Sequence, residues 1–452
     1  MADKTLGKTI ARVILVAILV VGLGWMFLTP TPKDRKYPDR IPVRFWHRWG
    51  GEWAEVVARI AERYNQSQTK YEVIPLSVPG ATADAKFMTG VIGGDPPDVM
   101  SMWNGAIPNM AASNLLTPLE TLMSPADKKR FFEESYPVIR DSGMFRGKAY
   151  GVTIGSDLSA LYVNVDHLKE AGLDVENFPK TIEGVIEWGE KLHRYDKQGN
   201  LRRLGFSMGY LDFISHSYGT GFYDRKAEKL SILNPDNLRT LTAITEQRKR
   251  VGYDKVVRFV SGLNTGSDTG GWPFISGDLS ITIDGQWRVE EIRKYAPKMD
   301  YRVIPIPPPK ERGTPLSGTV SGNFMIIPTS ARQKEGAWDF IRFWSGFGDL
   351  EASAQCYNDG GWLPLTPKVV ETKTFEAWLN ENPQFRAFIS ILGSPTCRPM
   401  PPVPYLHFLN DQIGRAEDRA VRGTVTPEEA LNELERNVKE ELRKRKELGY
   451  RD

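Results

Sequence analysis

The chain has 452 residues, of which 40% are hydrophobic and 25% are charged. This is an ordinary globular composition, and the length allows two or three domains with hydrophobic cores. The formal net charge of +3 implies no strong field for nucleic acid or anionic lipid. The two cysteines, Cys356 and Cys397, belong to no CxxC or Cys/His cluster, so no zinc or iron–sulfur site is expected. The sequence leaves open whether they pair.

Basic residues precede a run of sixteen uncharged residues at 13–28. A positive segment followed by an apolar helix is typical of a signal peptide or a membrane anchor, with the positive side in the cytoplasm. We therefore expect a cytoplasmic segment at 1–12, a signal or transmembrane helix at 13–28, a tether at 29–37, and an exported body. An uncleaved anchor, a cleaved signal and a buried helix of a soluble domain are the three interpretations left open.

The start of the body alternates between strand and helix patterns. Short apolar runs predict strands at 42–46, 71–76 and 99–102. Apolar residues at helical spacing predict one helix beginning near residue 52 and a second at 85–92. Because a β-α-β-α-β order favours parallel strands with right-handed crossovers, the sequence predicts an α/β fold with a largely parallel sheet.

Several chemically suitable side chains follow the carboxyl ends of these strands, where open α/β sheets bind ligands. Trp103 ends the third strand, and His47, Trp49 and Glu52 lie between the first strand and its helix. Two glycines beside Trp49 predict a poorly covered ring. For His47 a partly buried histidine bonded to the backbone is the alternative, and for Trp103 an ordinary core position.

Several short motifs follow one another along the body of the chain. They include FWHRWGG at 45–51, GGDPPDV at 93–99, NLLTPL at 114–119, FISGDLSI at 274–281 and GWLP at 361–364. In their order and spacing they resemble the family 1 extracellular solute-binding proteins, the sugar-binding receptors of ATP-driven importers related to maltose-binding protein. The resemblance covers nearly all of the chain after the tether.

This resemblance implies a two-lobed periplasmic-binding-protein-like fold of type II, each lobe a mostly parallel sheet with flanking helices, that closes on its ligand by hinge motion. It implies a first lobe at 38–156 and 322–362, and a second at 157–321 and 363–452. The expected function is capture of a mono- or oligosaccharide on the periplasmic or cell-surface side of the membrane and delivery to an ABC importer. A monomer without cofactor or nucleic-acid partner is expected.

A sugar presents flat C–H faces and polar edges, so its site needs aromatic rings and hydrogen-bond acceptors. Asp157 lies seven residues before Asn164, the register at which the family often has a sugar-binding acid; a hinge cap or turn is the alternative. Trp287 matches the family's Gly-x-Trp motif. The full set of candidate ligand-binding residues is His47, Trp49, Glu52, Trp103, Asn104, Asp157, Tyr218, Trp272, Asp284, Trp287, Asn323 and Trp362.

Neighbouring residues give these candidates different expected roles. Trp272 follows two glycines, which predicts a ring with little to bury it, and Tyr218 is predicted in a loop where it could stack. Trp338 and Trp344 fall on the apolar face of a predicted helix and are expected in the core. The proline-rich run 398–405 is expected to lie over the second lobe, and a capping box starts the last helix.

The sequence carries no HExxH, GxSxG, Walker A or GxGxxG motif, and its five histidines are scattered, so an enzyme is not expected. Two alternatives to a sugar receptor stay open. One is a binding protein of the same fold for a polyamine, a metal or another small solute. The other is a membrane-tethered sugar-binding module without an importer.

Overall fold

The computed structural model describes residues 35–78, 80–219, 221–263, 271–311 and 318–450. The helix predicted at 13–28 lies outside these ranges, as does most of the predicted tether. Within the described ranges, no helix combines the length and the apolar character needed to cross a membrane.

Helices and strands alternate along the described chain. The strands are β1 (Ile41–His47), β2 (Tyr71–Ser77), β3 (Val99–Trp103), β4 (Met144–Phe145), β5 (Lys148–Ala149), β6 (Val152–Asp157), β7 (Ser159–Asn164), β8 (Arg194–Tyr195), β9 (Leu201–Arg203), β10 (Tyr223–Asp224), β11 (Lys229–Leu230), β12 (Ile281–Gly285), β13 (Tyr301–Ile304), β14 (Thr319–Ile326) and β15 (Arg398–Pro399). The α-helices are α1 (Gly51–Ser67), α2 (Gly80–Ile92), α3 (Ile107–Ala112), α4 (Pro125–Glu133), α5 (Pro137–Ser142), α6 (Val165–Glu170), α7 (Ile182–Leu192), α8 (Leu211–Tyr218), α9 (Pro235–Val251), α10 (Tyr253–Ser261), α11 (Trp287–Tyr295), α12 (Lys334–Ser345), α13 (Leu350–Gly360), α14 (Pro367–Val370), α15 (Lys373–Glu381), α16 (Phe385–Leu392), α17 (Leu406–Val421) and α18 (Pro427–Glu447).

The first lobe is built on a sheet whose opening strands have the predicted direction. β1 pairs in parallel with β2 and β3, because α1 and α2 carry the chain back between them. β14 then runs antiparallel to β3 on one side and to β6 on the other, so the sheet is mixed. Its inner face is buried: the Phe45 ring packs edge-on against Phe340 of α12, with ring centroids 5.3 Å apart.

The second lobe differs from the expected mostly parallel sheet. Its three strands have the order β12-β7-β13, and both pairings are antiparallel. The chain passes from β6 into β7 through the single residue Leu158, with no helix between them. Without a crossover connection there, nothing imposes a parallel neighbour on β7. The two-lobed α/β architecture is as predicted, and only the strand direction in the second lobe differs.

The tryptophans predicted in the core of the first lobe are buried there. Trp344 is fully buried and its indole Nε1 donates a hydrogen bond to the carbonyl of Ile154 at 3.1 Å. Trp338 is also buried. Cys356 and Cys397 are free, buried thiols, which answers the pairing question that the sequence left open.

The C-terminal helices cover the second lobe. α18 begins with the predicted capping box, in which Thr426 and Glu429 each accept a hydrogen bond from the other's backbone N–H. The proline-rich run behaves only partly as expected: Arg398 and Pro399 form β15, which pairs in parallel with β14 of the first sheet. Only its later residues, including Tyr405, pack on the core of the second lobe.

Candidate functional site

Three of the candidate residues lie on neighbouring strands where the first sheet meets the second lobe. Asn323 of β14 is the register partner of Trp103 at the end of β3. Ser321, two residues earlier on β14, is the register partner of Asp157 at the end of β6. Strand pairing therefore brings an aromatic ring, an amide and a carboxylate to one edge of the sheet, although they are far apart in sequence.

Gln286 ties this edge to the second lobe. Its side-chain Nε2 donates to Asp157 Oδ1 at 2.8 Å, and its Oε1 accepts from the backbone N–H of Leu158 at 3.1 Å. Burial raises the pKa of Asp157 to about 6, although the hydrogen bond from Gln286 acts in the other direction. A carboxylate thus lies at the junction of β6 and β12 with an amide as its hydrogen-bond partner.

A stack of tryptophans flanks this junction in the first lobe. The Trp362 ring lies 4.9 Å from Trp49 and 5.9 Å from Trp53, centroid to centroid. Trp362 is only 4% exposed, because it sits against Gly155, where an added Cβ would come within 2.9 Å of its Cγ. Trp362 is therefore the buried ring of this stack, and Trp49, which is half-buried, lies nearer the surface.

Trp103 faces the second lobe. Its ring centroid lies 4.9 Å from that of His407 at the start of α17, and its half-buried side chain packs against the core of the second lobe. The next residue, Asn104, is 3% exposed, and its Oδ1 has no hydrogen-bond partner among the described residues. A buried acceptor without a donor is unfavourable, so the described structure leaves this oxygen unsatisfied.

His47 lies inside the first lobe, beneath Trp49. It is buried, with its ring centroid 6.2 Å from Trp49 and 5.5 Å from Phe45. Burial lowers the pKa of His47 to about 4, although a backbone hydrogen bond at Trp49 acts in the other direction. The lowered pKa favours the neutral imidazole near pH 7, and the buried Nδ1 of His47 has no hydrogen-bond partner among the described residues.

The second lobe contributes a charged cluster at the end of β12. Arg288 donates from Nε to Asp284 Oδ2 at 2.9 Å and from Nη1 to Glu291 Oε2 at 2.5 Å. Burial raises the pKa of Asp284, and the positive charge of Arg288 opposes that shift. The ring of Trp287 lies over Gly285, where an added Cβ would overlap it, and stays half-buried beside this cluster.

Two aromatic candidates of the second lobe are covered rather than open to a ligand. Trp272 is 4% exposed: Tyr162 and Phe274 pack against its ring, and the Arg288 guanidinium lies 4.5 Å from its centroid. The prediction of a ring with little to bury it was wrong, because Tyr162 and Arg288 reach the ring from elsewhere in the chain and add to the nearby Phe274. Tyr218 lies at the end of α8, not in a loop, and is buried in the core of the second lobe.

Glu52 takes part in an ion pair between the two lobes at the protein surface. Its side chain is 73% exposed and forms an ion pair with Lys294 of α11. Such an exposed pair contributes little to stability, but it marks where α1 of the first lobe and α11 of the second lobe come together.

Sequence reasoning missed Tyr210, which precedes α8. Its side chain is 60% exposed, and its backbone φ of 61° lies in the left-handed region. The pKa of Tyr210 is raised, first by partial burial of the phenol and then by the negative charge of Asp284. Phe213 packs edge-on against it. A lone aromatic after a glycine was the only sequence signal, and His407 gave none.

The described residues contain no group of three or more His, Cys, Asp or Glu side chains that could hold a metal ion. The groups that line the junction are aromatic rings, amides and carboxylates. They can stack on apolar faces and accept protons from hydroxyl groups.

Two α/β lobes, joined by crossing strands and meeting along a seam of aromatic and acceptor side chains, define a two-lobed solute-binding protein. The chain belongs to the bacterial extracellular solute-binding protein family, whose model matches residues 59–387. Membership of an extracellular family means that the chain works outside the cytoplasm, and the family consists of binding proteins rather than enzymes.

Relatives of known identity extend over most of the chain. The sn-glycerol-3-phosphate-binding periplasmic protein of Salmonella typhimurium is 24% identical over 415 residues, covering 86% of this chain and 90% of the relative. The structure of CpMnBP1 with mannotriose bound is 25% identical, with a TM-score of 0.74 over 87% of this chain and 99% of that one. The sugar-binding protein MalE of Xanthomonas citri, 19% identical with a TM-score of 0.72 over 91% of this chain and all of that one, shares the fold.

Proposed function

We propose that the chain captures a mono- or oligosaccharide between its two lobes and delivers it to an ABC importer. The observation that carries the proposal is the junction at which Trp103 and Asp157 end the two strands that flank β14, and Gln286 at the end of β12 donates a hydrogen bond to the carboxylate. A ligand held there contacts both lobes at once, which is what couples binding to closure.

The chemistry of the junction suits a sugar. Trp49, Trp103, Trp287 and Tyr210 are half-buried or exposed rings that can stack on the C–H faces of a pyranose. Asp157 supplies a desolvated carboxylate, and hydroxyl groups donate stronger hydrogen bonds to a carboxylate than to a neutral acceptor. Asn104 and Asn323 add amide oxygens to the same edge.

The other candidates contact residues of this site. Trp362 and His47 lie beneath Trp49, and Trp272 lies beneath Arg288, which holds Asp284. We assign them to positioning the rings and charges that face the ligand. Glu52 is assigned to the rim, where its ion pair with Lys294 joins α1 to α11.

We propose lobe boundaries at 38–156 and 322–362 for the first lobe, and at 157–321 and 363–452 for the second. In support, α13 packs on α1 of the first lobe, whereas α16 packs on β7 and β13 of the second sheet. The hinge then consists of the junctions around residues 157, 322 and 362. Closure by rotation about such short crossings is an established mode of ligand capture.

The similarity to a structure with mannotriose bound supports an oligosaccharide as the ligand. A phosphorylated polyol is the second candidate, because a curated relative over most of the chain is a glycerol-3-phosphate-binding protein. We further propose that the receptor is a monomer, tethered to the cytoplasmic membrane through the apolar run at 13–28, and that its partner is the permease of the importer.

Isothermal titration of the full chain tests the proposal. The chain is kept in a detergent without a sugar headgroup and titrated with mannotriose, maltotriose, glucose, glycerol 3-phosphate and spermidine. Saturable heat with one or more sugars supports the sugar receptor. Heat only with glycerol 3-phosphate supports the second candidate, and heat only with spermidine overturns both.

A further inference from the structure

The loop that carries Tyr210 is held in an unfavourable conformation. Residues 204–210 connect the end of β9 to α8, and Tyr210 precedes the helix with a φ of 61° and no side-chain cap of its own. A non-glycine residue in the left-handed region is strained, and it persists only when its surroundings fix it. The question is which side chains do so.

Helix α9 fixes the first half of the loop. Gln247 accepts a hydrogen bond from the backbone N–H of Met208 at 2.8 Å and donates to the carbonyl of Phe206 at 2.9 Å. The neighbouring Arg248 donates to Ser207 Oγ at 2.7 Å. These bonds fix the backbone before Tyr210 but not Tyr210 itself.

Helix α17 fixes the second half through Glu417. Its Oε2 accepts a hydrogen bond from the backbone N–H of Leu211, the residue after Tyr210, at 2.8 Å. Gly209 lies beside this acid, with 3.4 Å between the position of an added Cβ and Glu417 Oε1. The acid thus caps the first turn of α8 from a different helix, a role that an N-cap side chain normally fills locally.

We infer that Glu417 is a positioning residue for ligand binding, which acts by holding the start of α8 and with it the exposed ring of Tyr210. The inference rests on the proposed function. The same helix places His407 against Trp103, so α17 sets the position of one ring in each lobe.

The test is a double-mutant cycle between Glu417→Ala and Tyr210→Ala, read out by titration of the full chain with the sugar that binds the wild type. Loss of a capping acceptor changes an equilibrium constant by about tenfold. We therefore expect E417A to weaken binding by about tenfold. In the Y210A background the same change is expected to add less than about twofold. Asp418→Ala, which removes an exposed acid from the same helix, is the matched control and is expected to leave the dissociation constant unchanged.

A cycle in which E417A weakens binding equally with and without Tyr210 would overturn the inference, as would unchanged affinity in a folded E417A. If E417A does not fold, Glu417→Met removes both acceptor oxygens while keeping a side chain of similar size, and the same cycle is run with it. A wild-type chain that binds none of the sugars refutes the proposed function instead, and thermal unfolding of E417A against Y210A then still measures whether the two residues are coupled.

Discussion

Asp157 lies where the two lobes meet. Its burial has two opposed effects, one on the stability of the protein and one on ligand binding. Burial disfavours its charged form, which raises its pKa to about 6 from the ordinary 3.8. Because the folded-state pKa is raised, the stability linked to this group is fully present below the unfolded pKa of 3.8 and is lost as pH rises through about 6. Near neutral pH the carboxylate therefore destabilises the empty protein, while it is available to accept hydroxyl protons from a ligand.

Asp157→Asn should separate these two effects. The amide keeps an oxygen for Gln286 and removes the buried charge, so we expect the unliganded variant to unfold at a higher temperature than wild type near pH 8, with the difference shrinking near pH 4. Sugar affinity should fall, because a neutral acceptor replaces a charged one. Thermal unfolding at both pH values, with titration calorimetry, measures this. Asp166→Asn, an exposed acid, is the control; equal melting temperatures for D157N and wild type at both pH values would contradict the assignment.

Trp103→Ala tests the aromatic contribution to binding. Removing a stacked ring at the centre of a site typically weakens binding by about 1–3 kcal/mol, and we expect that loss here with the fold retained. Titration of the variant measures it. Trp188→Ala removes a half-buried tryptophan that packs on Phe178 in the second lobe; it should lower stability without changing the dissociation constant. Unchanged affinity in W103A would remove Trp103 from the site.

At the scale of elements, the stack of Trp49, Trp53 and Trp362 depends on the absence of a side chain on β6. A Cβ at Gly155 would come within 2.9 Å of the Trp362 ring, and backbone and packed rings on both sides leave it little room to shift. The packing of Trp362 against Gly155 of β6 therefore fixes the position of Trp49 at the junction.

Gly155→Ala should disturb this fit. Overpacking a well-filled core costs about 1–3 kcal/mol, and we expect that loss in urea unfolding, together with weaker sugar binding through the displaced Trp49. Gly414→Ala is the matched control, because nothing lies within 4 Å of its added Cβ within helix α17, so that variant should be as stable as wild type or more so. A G155A variant as stable as wild type would show that the ring can relax.

The elements that the sequence predicted well are those specified locally. Apolar runs between glycine- and proline-rich turns specified β1, β2 and β3, and the Thr426 and Glu429 spacing specified the start of α18. The burial of Trp272 and Tyr218 could not be foreseen, because it depends on rings and an arginine from other parts of the chain. Tyr210 was missed because Glu417, which holds it, lies 206 residues away from Leu211.

At the scale of the whole molecule, the antiparallel second sheet follows from how the chain crosses between lobes. β6 runs into β7 through Leu158, so the two lobes share a nearly continuous strand and the junction lies at its midpoint. Asp157 and Asn323 lie at such crossings, and Gln286 of the second lobe is hydrogen-bonded to Asp157. A rotation of one lobe against the other therefore changes the arrangement of the side chains at the junction. For this reason a small ligand bound there can shift the equilibrium between orientations of the two lobes.

The measurement that tests the central claim most directly is energy transfer between two dyes, one on each lobe of the full chain, during a sugar titration. Both native thiols are buried, so cysteines introduced at the exposed Lys129 of α4 and Glu246 of α9 can be labelled selectively. The account predicts a change in transfer efficiency with the same midpoint as the calorimetric binding curve, and a shift of both midpoints together in W103A. Saturable binding of a sugar with no change in transfer, or a change that W103A and D157N leave untouched, would contradict capture between the lobes.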